Sequence, residues 1–323
     1  MLRLGNFKLQ IPVFQAALSG YSDRAMRVLA YEFGAPLTFG GLLLAKSVIN
    51  PKMWRKTGLK LTDAEGPVAG QLLGSDPEIM AQAASVLEDR GFVMVDLNFA
   101  CPAPKVLRRG RGGALLNQPR RILAIYQAVR RAVSCPVLMK LRIGLNGSPC
   151  DRDYFLDICT DVAAEGIDAL VVHGRTVSQK YHGRADWQII AEIKERFGET
   201  TVIGSGDLLS AETAVERLAA SAADGVAIAR GAIGNPWIFR DLRALLGGEP
   251  KPPEPDVAEQ AEVILRHFEM ILSDYDQRKA IGHFRKFCVG YCRRHPSGKQ
   301  AKLDFMAAQS ARQVQTAVRQ WYG

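Results

Sequence analysis

The residues of this chain that could do chemistry stand at the ends of short apolar, β-branched runs. The densest stretch is Val95-Asp96-Leu97-Asn98-Phe99-Ala100-Cys101-Pro102-Ala103-Pro104-Lys105, in which an apolar run ends in Asn98 and Cys101 follows beside prolines. A free cysteine is most often a small core hydrophobe, but a thiol just past a strand end and flanked by proline is presented rather than packed away. Thiols are largely protonated at neutral pH, so Cys101 suits a proton donor as well as a nucleophile. Met139-Lys140-Leu141-Arg142 sets a lysine inside an apolar run. A buried ammonium needs a partner, so Lys140 is expected to face something electron-rich. Val172-His173-Gly174-Arg175-Thr176 ends another run in a polar cluster. Ser205-Gly206-Asp207 and Ala229-Arg230-Gly231 end two more with small residues that let backbone N–H groups approach an anion. Cys288 and Cys292, at i and i+4, read as helix core rather than metal ligands, and no metal site is expected.

These groups need elements to hold them. Strand-like runs fall at 11–16, 37–43, 68–73, 93–98, 137–141, 169–173, 201–204 and 225–229. Helical patterns separate most of them, at 22–32 with Ser22 as N-cap, 76–90 with Pro77 at the first helical position, 118–132, 151–164, 187–197, 211–219 and 236–246. Eight strands alternating with helices over about 240 residues predict an α/β chain folded as a (β/α)8 barrel. A doubly wound sheet would open with a Gly-rich turn after its first strand, and QAALSGYSD is no such turn. In a barrel the reactive groups gather at the C-terminal strand ends, with a phosphate site after the last two strands. That phosphate site, with Lys140 on the fifth strand and Gln71 ending the third, reads as a place for FMN. Lys140 would supply the positive group that stabilises the reduced flavin near its N1/O2 edge.

The composition bounds the rest. The chain has 323 residues, 47% hydrophobic and 23% charged, which excludes disorder, and its six cysteines are too few for a disulfide scaffold. They contain no CxxC pair, so a reduced, cytoplasmic protein is expected. No signal sequence and no apolar stretch long enough to cross a membrane is present in the sequence. A proline-rich segment at 247–256 divides a domain at 1–246 from a helical one at 257–323. The net charge is +9, and the helical tail carries eleven Lys/Arg against six Asp/Glu. That tail is either a solvated face or a phosphate-binding surface.

With these motifs assembled, the chain resembles the tRNA-dihydrouridine synthase family, in particular its bacterial B-type branch. The resemblance is carried by Asp96-Leu97-Asn98-Phe99-Ala100-Cys101-Pro102, Val171-Val172-His173-Gly174-Arg175-Thr176, Ile203-Gly204-Ser205-Gly206-Asp207, and Ala229-Arg230-Gly231-Ala232 followed by Asn235-Pro236-Trp237-Ile238-Phe239. It implies FMN-dependent reduction of tRNA uridines to 5,6-dihydrouridine, with NADPH as reductant, hydride going to C6 and a proton passing from Cys101 to C5. It further implies that Asn98 holds the uracil edge, that Gln71 and Lys140 contact the isoalloxazine, and that His173 lies near flavin or substrate. Arg175 would lie near a phosphate or the substrate, and Ser205, Gly206, Asp207, Ala229 and Arg230 would surround the flavin phosphate. Tyr181 is a candidate stacking partner for an extruded base, the alternative being a loop aromatic that packs on the barrel rim, and Arg285 and Lys286 are expected RNA contacts in the tail. Where the family has Ala-Pro-Met-Ala-Gly, this chain has Ala16-Ala17-Leu18-Ser19-Gly20, so the resemblance implies that Ala17, Leu18 and Ser19 would line the flavin instead. Ser205, Ala229 and Gly41 replace the family's Asn, Gly and acidic residue. The implied partner is tRNA or another structured RNA, met by a monomer with no membrane. The same chemistry on ribosomal RNA, a flavin-dependent reductase of a free small molecule, and a catalytically silent RNA-binding module are the alternatives.

Overall fold

The structure is a computed structural model, described over residues 1–55 and 61–323. It opens with a hairpin that the sequence pattern did not predict, β1 (Leu2–Leu4) and β2 (Phe7–Leu9), turned at Gly5 with φ 58°. Three-residue strands give too short a pattern to register as a period. Eight parallel strands follow: β3 (Val13–Gln15), β4 (Thr38–Leu44), β5 (Val68–Leu73), β6 (Val95–Phe99), β7 (Val137–Arg142), β8 (Ala169–His173), β9 (Val202–Ser205) and β10 (Gly225–Ile228). From β4 onward each pairs with the next in sequence, and β10 returns to pair with β3. The seam between β3 and β4 is bridged by the Gln15 N–H donating to the Leu37 carbonyl at 3.1 Å. This is the expected barrel.

Alternation along each strand sorts the side chains. Val13, Leu43, Leu72, Leu97, Met139, Leu141, Val172 and Ile228 point outward to the helices, whereas Phe14, Phe39, Ala69, Met94, Leu138, Val171, Ile203 and Ala227 fill the interior. Leu2, Leu4 and Leu9 of the hairpin join that interior cluster and plug the barrel from below.

The outer layer contains α1 (Arg24–Glu32), α2 (Ala45–Val48), α3 (Pro77–Asp89), α4 (Pro104–Leu107), α5 (Pro119–Ala132), α6 (Pro149–Ala164), α7 (Gln188–Arg196), α8 (Ala211–Ser221) and α9 (Trp237–Leu246). Helix α1 is capped by Asp23, whose Oδ1 accepts from the Met26 N–H at 2.8 Å. Ser22, the expected cap, instead accepts from the Leu18 N–H at 2.9 Å and shapes the loop before the helix. Both are good capping residues, and the loop geometry decides between them.

Residues 247–256 form neither helix nor strand, and four helices follow: α10 (Val257–Asp274), α11 (Gln277–Tyr291), α12 (Gly298–Ala307) and α13 (Ala311–Tyr322). Their buried Ile264, Phe268, Phe284, Phe287 and Tyr322 belong to the same apolar cluster as the barrel's outer layer. Each such side chain contributes about 1.5–3 kcal/mol by leaving water. The tail is fixed beside β3 and β10. Arg24 pairs with Asp274 at 3.0 Å and Asp23 with His283 at 2.7 Å, while Tyr21 meets the Phe287 ring edge-on at 5.5 Å. Gly290 lies so close to the loop after β10 that a Cβ there would sit 1.8 Å from the Ile233 carbonyl oxygen.

Candidate active site

Toward the C-terminal ends of the strands, the inward positions change from apolar to polar. Ala69 is followed two residues on by Gln71, Met94 by Asp96 and Asn98, Leu138 by Lys140 and Arg142, Val171 by His173, and Ile203 by Ser205. A period of two puts each set on one face of its strand. These ends open into a pocket of about 830 Å³, the open solvent at its mouth included, lined by Gln71, Lys140, Arg142, His173 and Ser205 from these strands and by Ala17, Leu18, Ser19, Cys101, Tyr181, Gly206, Asp207, Ala229 and Arg230.

A chain of side-chain hydrogen bonds stands behind Cys101. Asp96 Oδ2 accepts from Gln71 Nε2 at 2.6 Å, and Gln71 Oε1 accepts from Asn98 Nδ2 at 2.7 Å. Asn98 Oδ1 then accepts from the N–H groups of Ala100 at 3.1 Å and Cys101 at 3.0 Å. The Asn98 oxygen therefore holds its own loop. Arg142 grips the same loop from the other side, donating to the Ala100 carbonyl at 2.8 Å and to those of Thr176 at 2.8 Å and Lys180 at 2.9 Å. One guanidinium joins the cysteine loop to the loop that carries Tyr181.

Burial governs the charges here. It lowers Lys140 to about 8, against the pull of Asp96, and raises Asp96 to about 6, against the Gln71 hydrogen bond and the Lys140 charge. Lys140 Nζ is 3.4 Å from Ser205 Oγ, a long contact that leaves most of its donor capacity toward the pocket. Burial, reinforced by the cations Lys140, Arg142, Arg175 and Arg230, pushes His173 down to about 2. The imidazole is therefore neutral at physiological pH. Its Nδ1 lies 3.4 Å from Ser205 Oγ, and its buried Nε2 has no hydrogen-bond partner among the described residues.

Arg175 is placed differently from expectation. Its side chain is 1% exposed and pairs with Asp207 at 2.6 Å, while donating to the carbonyls of His182 and Gly183. It braces the loop after β8 and does not line the pocket. Asp207 also pairs with Arg230 at 3.1 Å and accepts from the Ala185 N–H at 2.8 Å. Burial alone would raise its pKa, but these bonds, led by Arg175, hold the carboxyl below its usual range. Arg230 lies 4.7 Å from the Tyr181 ring centroid and Arg142 lies 5.8 Å from it, so two cations hold that ring at the mouth. In the tail, Arg285 donates to the Ala308 carbonyl and Lys286 to that of Gly20 at 3.3 Å. Arg285 thus ties the tail helices together, and Lys286 links the tail to the barrel. Neither lines the pocket.

The family model for dihydrouridine synthase matches residues 14–321. The chain belongs to the dihydrouridine synthase family. It is similar to the probable tRNA-dihydrouridine synthase of Rickettsia typhi, 32% identical over 95% of this chain and 92% of that one. It is 34% identical to tRNA-dihydrouridine synthase B of Pasteurella multocida, over 90% of this chain and 86% of the relative. Among solved structures, a 2-naphthoyl-CoA reductase complex shares the fold at a TM-score of 0.58 and 13% identity, covering 77% of this chain. This chain spans about half that reductase's length, 52%. The synthase is a flavin-dependent oxidoreductase. Among its described residues, no helix is long and apolar enough to cross a membrane. Arg142, like Asp96, has a role at the site that the sequence pattern left unassigned. Its signal was there: it lies two residues beyond Lys140 and so shares that residue's inward face.

Proposed function

We propose that this synthase reduces specific uridines in tRNA to 5,6-dihydrouridine, with FMN as cofactor and NADPH as reductant. The observation that carries the reading is Cys101 at the pocket wall, its loop fixed by the Ala100 and Cys101 N–H bonds to Asn98 and by the Arg142 clamp on the Ala100 carbonyl. The pocket fits a flavin in its donors: the buried, unpartnered His173 Nε2 and the sparsely bonded Lys140 Nζ both belong to residues that line it. Gln71, Lys140 and His173 would hold the ring system, and Ser205, Gly206, Ala229 and Arg230 the phosphate. When bound, FMN supplies the hydride for uracil C6.

The chain's own residues supply the rest. The Cys101 thiol gives its proton to C5 as the C5–C6 double bond is reduced, and the resulting thiolate regains a proton from solvent. Positioned acid catalysis of this kind contributes typically about 10²–10⁴-fold. Lys140 in its cationic form offsets negative charge in the pocket, and neutral His173 offers a hydrogen bond without adding charge. Tyr181 offers a ring face to a base extruded from its RNA, an extrusion that costs a few kcal/mol. Arg175 positions the loops from behind the pocket, and Asp207 holds it there from the pocket wall.

The test is dihydrouridine mapping in RNA from cells that lack this gene, complemented with wild type or Cys101→Ala. Wild type should restore dihydrouridine at tRNA positions, and Cys101→Ala should not. Equal restoration by both would remove Cys101 from the acid's role.

A further inference from the structure

We propose that the arginine-rich loop between β6 and α5 is an RNA-backbone clamp, set across the barrel mouth from the helical tail. The inference rests on the proposed action on tRNA and names where the RNA is held. Residues 104–121 contain six Lys/Arg and no Asp/Glu, and four of the six fall within the seven residues 105–111. Lys105, Arg108 and Arg109 are exposed and Arg111 is half-buried. None of these four forms an ion pair among the described residues. Unpaired guanidinium groups clustered on one loop are the electrostatic footprint of a phosphate backbone.

The loop is also held in register with the reacting group. The Gly113 N–H donates to the Cys101 carbonyl at 3.2 Å, and the Arg111 N–H to that of Val106 at 3.3 Å. Gly112, at φ +57°, passes so close that a Cβ there would lie 3.0 Å from the Cys101 Cβ. The strand order then sets the geometry. The tail is fixed beside β3 and β10, whereas this loop follows β6, with β4 and β5 between it and β3. A folded RNA lying over the mouth meets the tail on one side and the arginines on the other. The tail's own cations are partly engaged inside the protein: Arg266 with Glu32, Arg294 with Glu254, and Arg285 with the Ala308 carbonyl.

The test is equilibrium binding of a tRNA transcript to the holoenzyme as a function of KCl concentration. The variant Arg108→Ala/Arg109→Ala/Arg111→Ala is compared with the charge-matched control Arg3→Ala/Lys8→Ala/Arg217→Ala, whose residues are exposed on the lower hairpin and an outer helix. The loop variant should bind about tenfold or more weakly near 100 mM salt. Its plot of log K against log salt should flatten by roughly 0.7–0.9 for each phosphate that is no longer neutralised. The control should match wild type. Unchanged affinity and slope in the loop variant would overturn the proposal, as would an equal weakening in the control. Loss of heparin binding with tRNA binding intact would also overturn it, because the loop would then serve another polyanion. Binding is read without turnover, so failure of the reductase reading would show separately, as wild type that binds tRNA and forms no dihydrouridine.

Discussion

Replacing Asp207 by asparagine isolates the strut behind the pocket. The change keeps the side-chain shape and removes the charge that faces Arg175 at 2.6 Å and Arg230 at 3.1 Å. Arg175 is 1% exposed, whereas Asp207 is 33% exposed. Breaking a fully buried pair costs about 3–5 kcal/mol, and an exposed pair is worth about 0–1. One buried and one partly solvated partner place Asp207→Asn between these, at about 2 kcal/mol. For a domain of this size that corresponds to a fall in Tm on the order of 4 °C. The sign of the pH dependence follows from the lowered carboxyl. Its stabilisation is present above the ordinary carboxylate range and is lost as pH falls through the lowered native value. Denaturant unfolding followed by tryptophan fluorescence should therefore show a constant gap between wild type and variant at neutral pH, narrowing in acid. A gap below about 0.5 kcal/mol at pH 7 would refute the strut. So would a gap of constant width down to the pH at which wild type itself unfolds.

Three further outcomes are expected. Asn98→Ala leaves the Ala100 and Cys101 N–H groups without their acceptor, so it should cost about 2 kcal/mol and speed alkylation of Cys101; an unchanged alkylation rate would count against the loop-holding role. Because Lys140 is lowered to about 8, its charge is lost as pH rises through that value, so single-turnover reduction should carry a basic limb there, which Lys140→Arg moves upward. Gly290→Ala drives a Cβ into the Ile233 carbonyl and should cost roughly 2–3 kcal/mol, seen as faster proteolysis within 247–256 if the tail loosens.

Much of the site was legible because a barrel turns sequence period into position. Lys140 inside an apolar run already indicated an inward lysine, and the alternation of Met139 and Leu141 with Lys140 and Arg142 makes that face explicit. Cys101 could be assigned to a strand end from its neighbours alone. Arg175 and Asp207 were harder. They are separated by 32 positions, and their pairing depends on how the loops after β8 and β9 fold over each other. Asn98 likewise reads as a free polar group until the chain turns back and presents the Ala100 and Cys101 N–H groups to it.

The sequence by itself determined the alternation of strands and helices, the strand-end positions of Cys101, Lys140 and His173, and the net charge of each segment. Those follow from local periodicity and composition, which need no knowledge of the partner segments. Only the tertiary structure decided which charges are neutralised and which stay available. Arg175, Arg285 and Lys286 found acceptors within the protein, whereas Lys105, Arg108, Arg109 and Arg111 found no carboxylate among the described residues. The reason is physical: a side chain's charge is written in the sequence, but its interaction energy depends on distance and solvent exposure, and folding sets both.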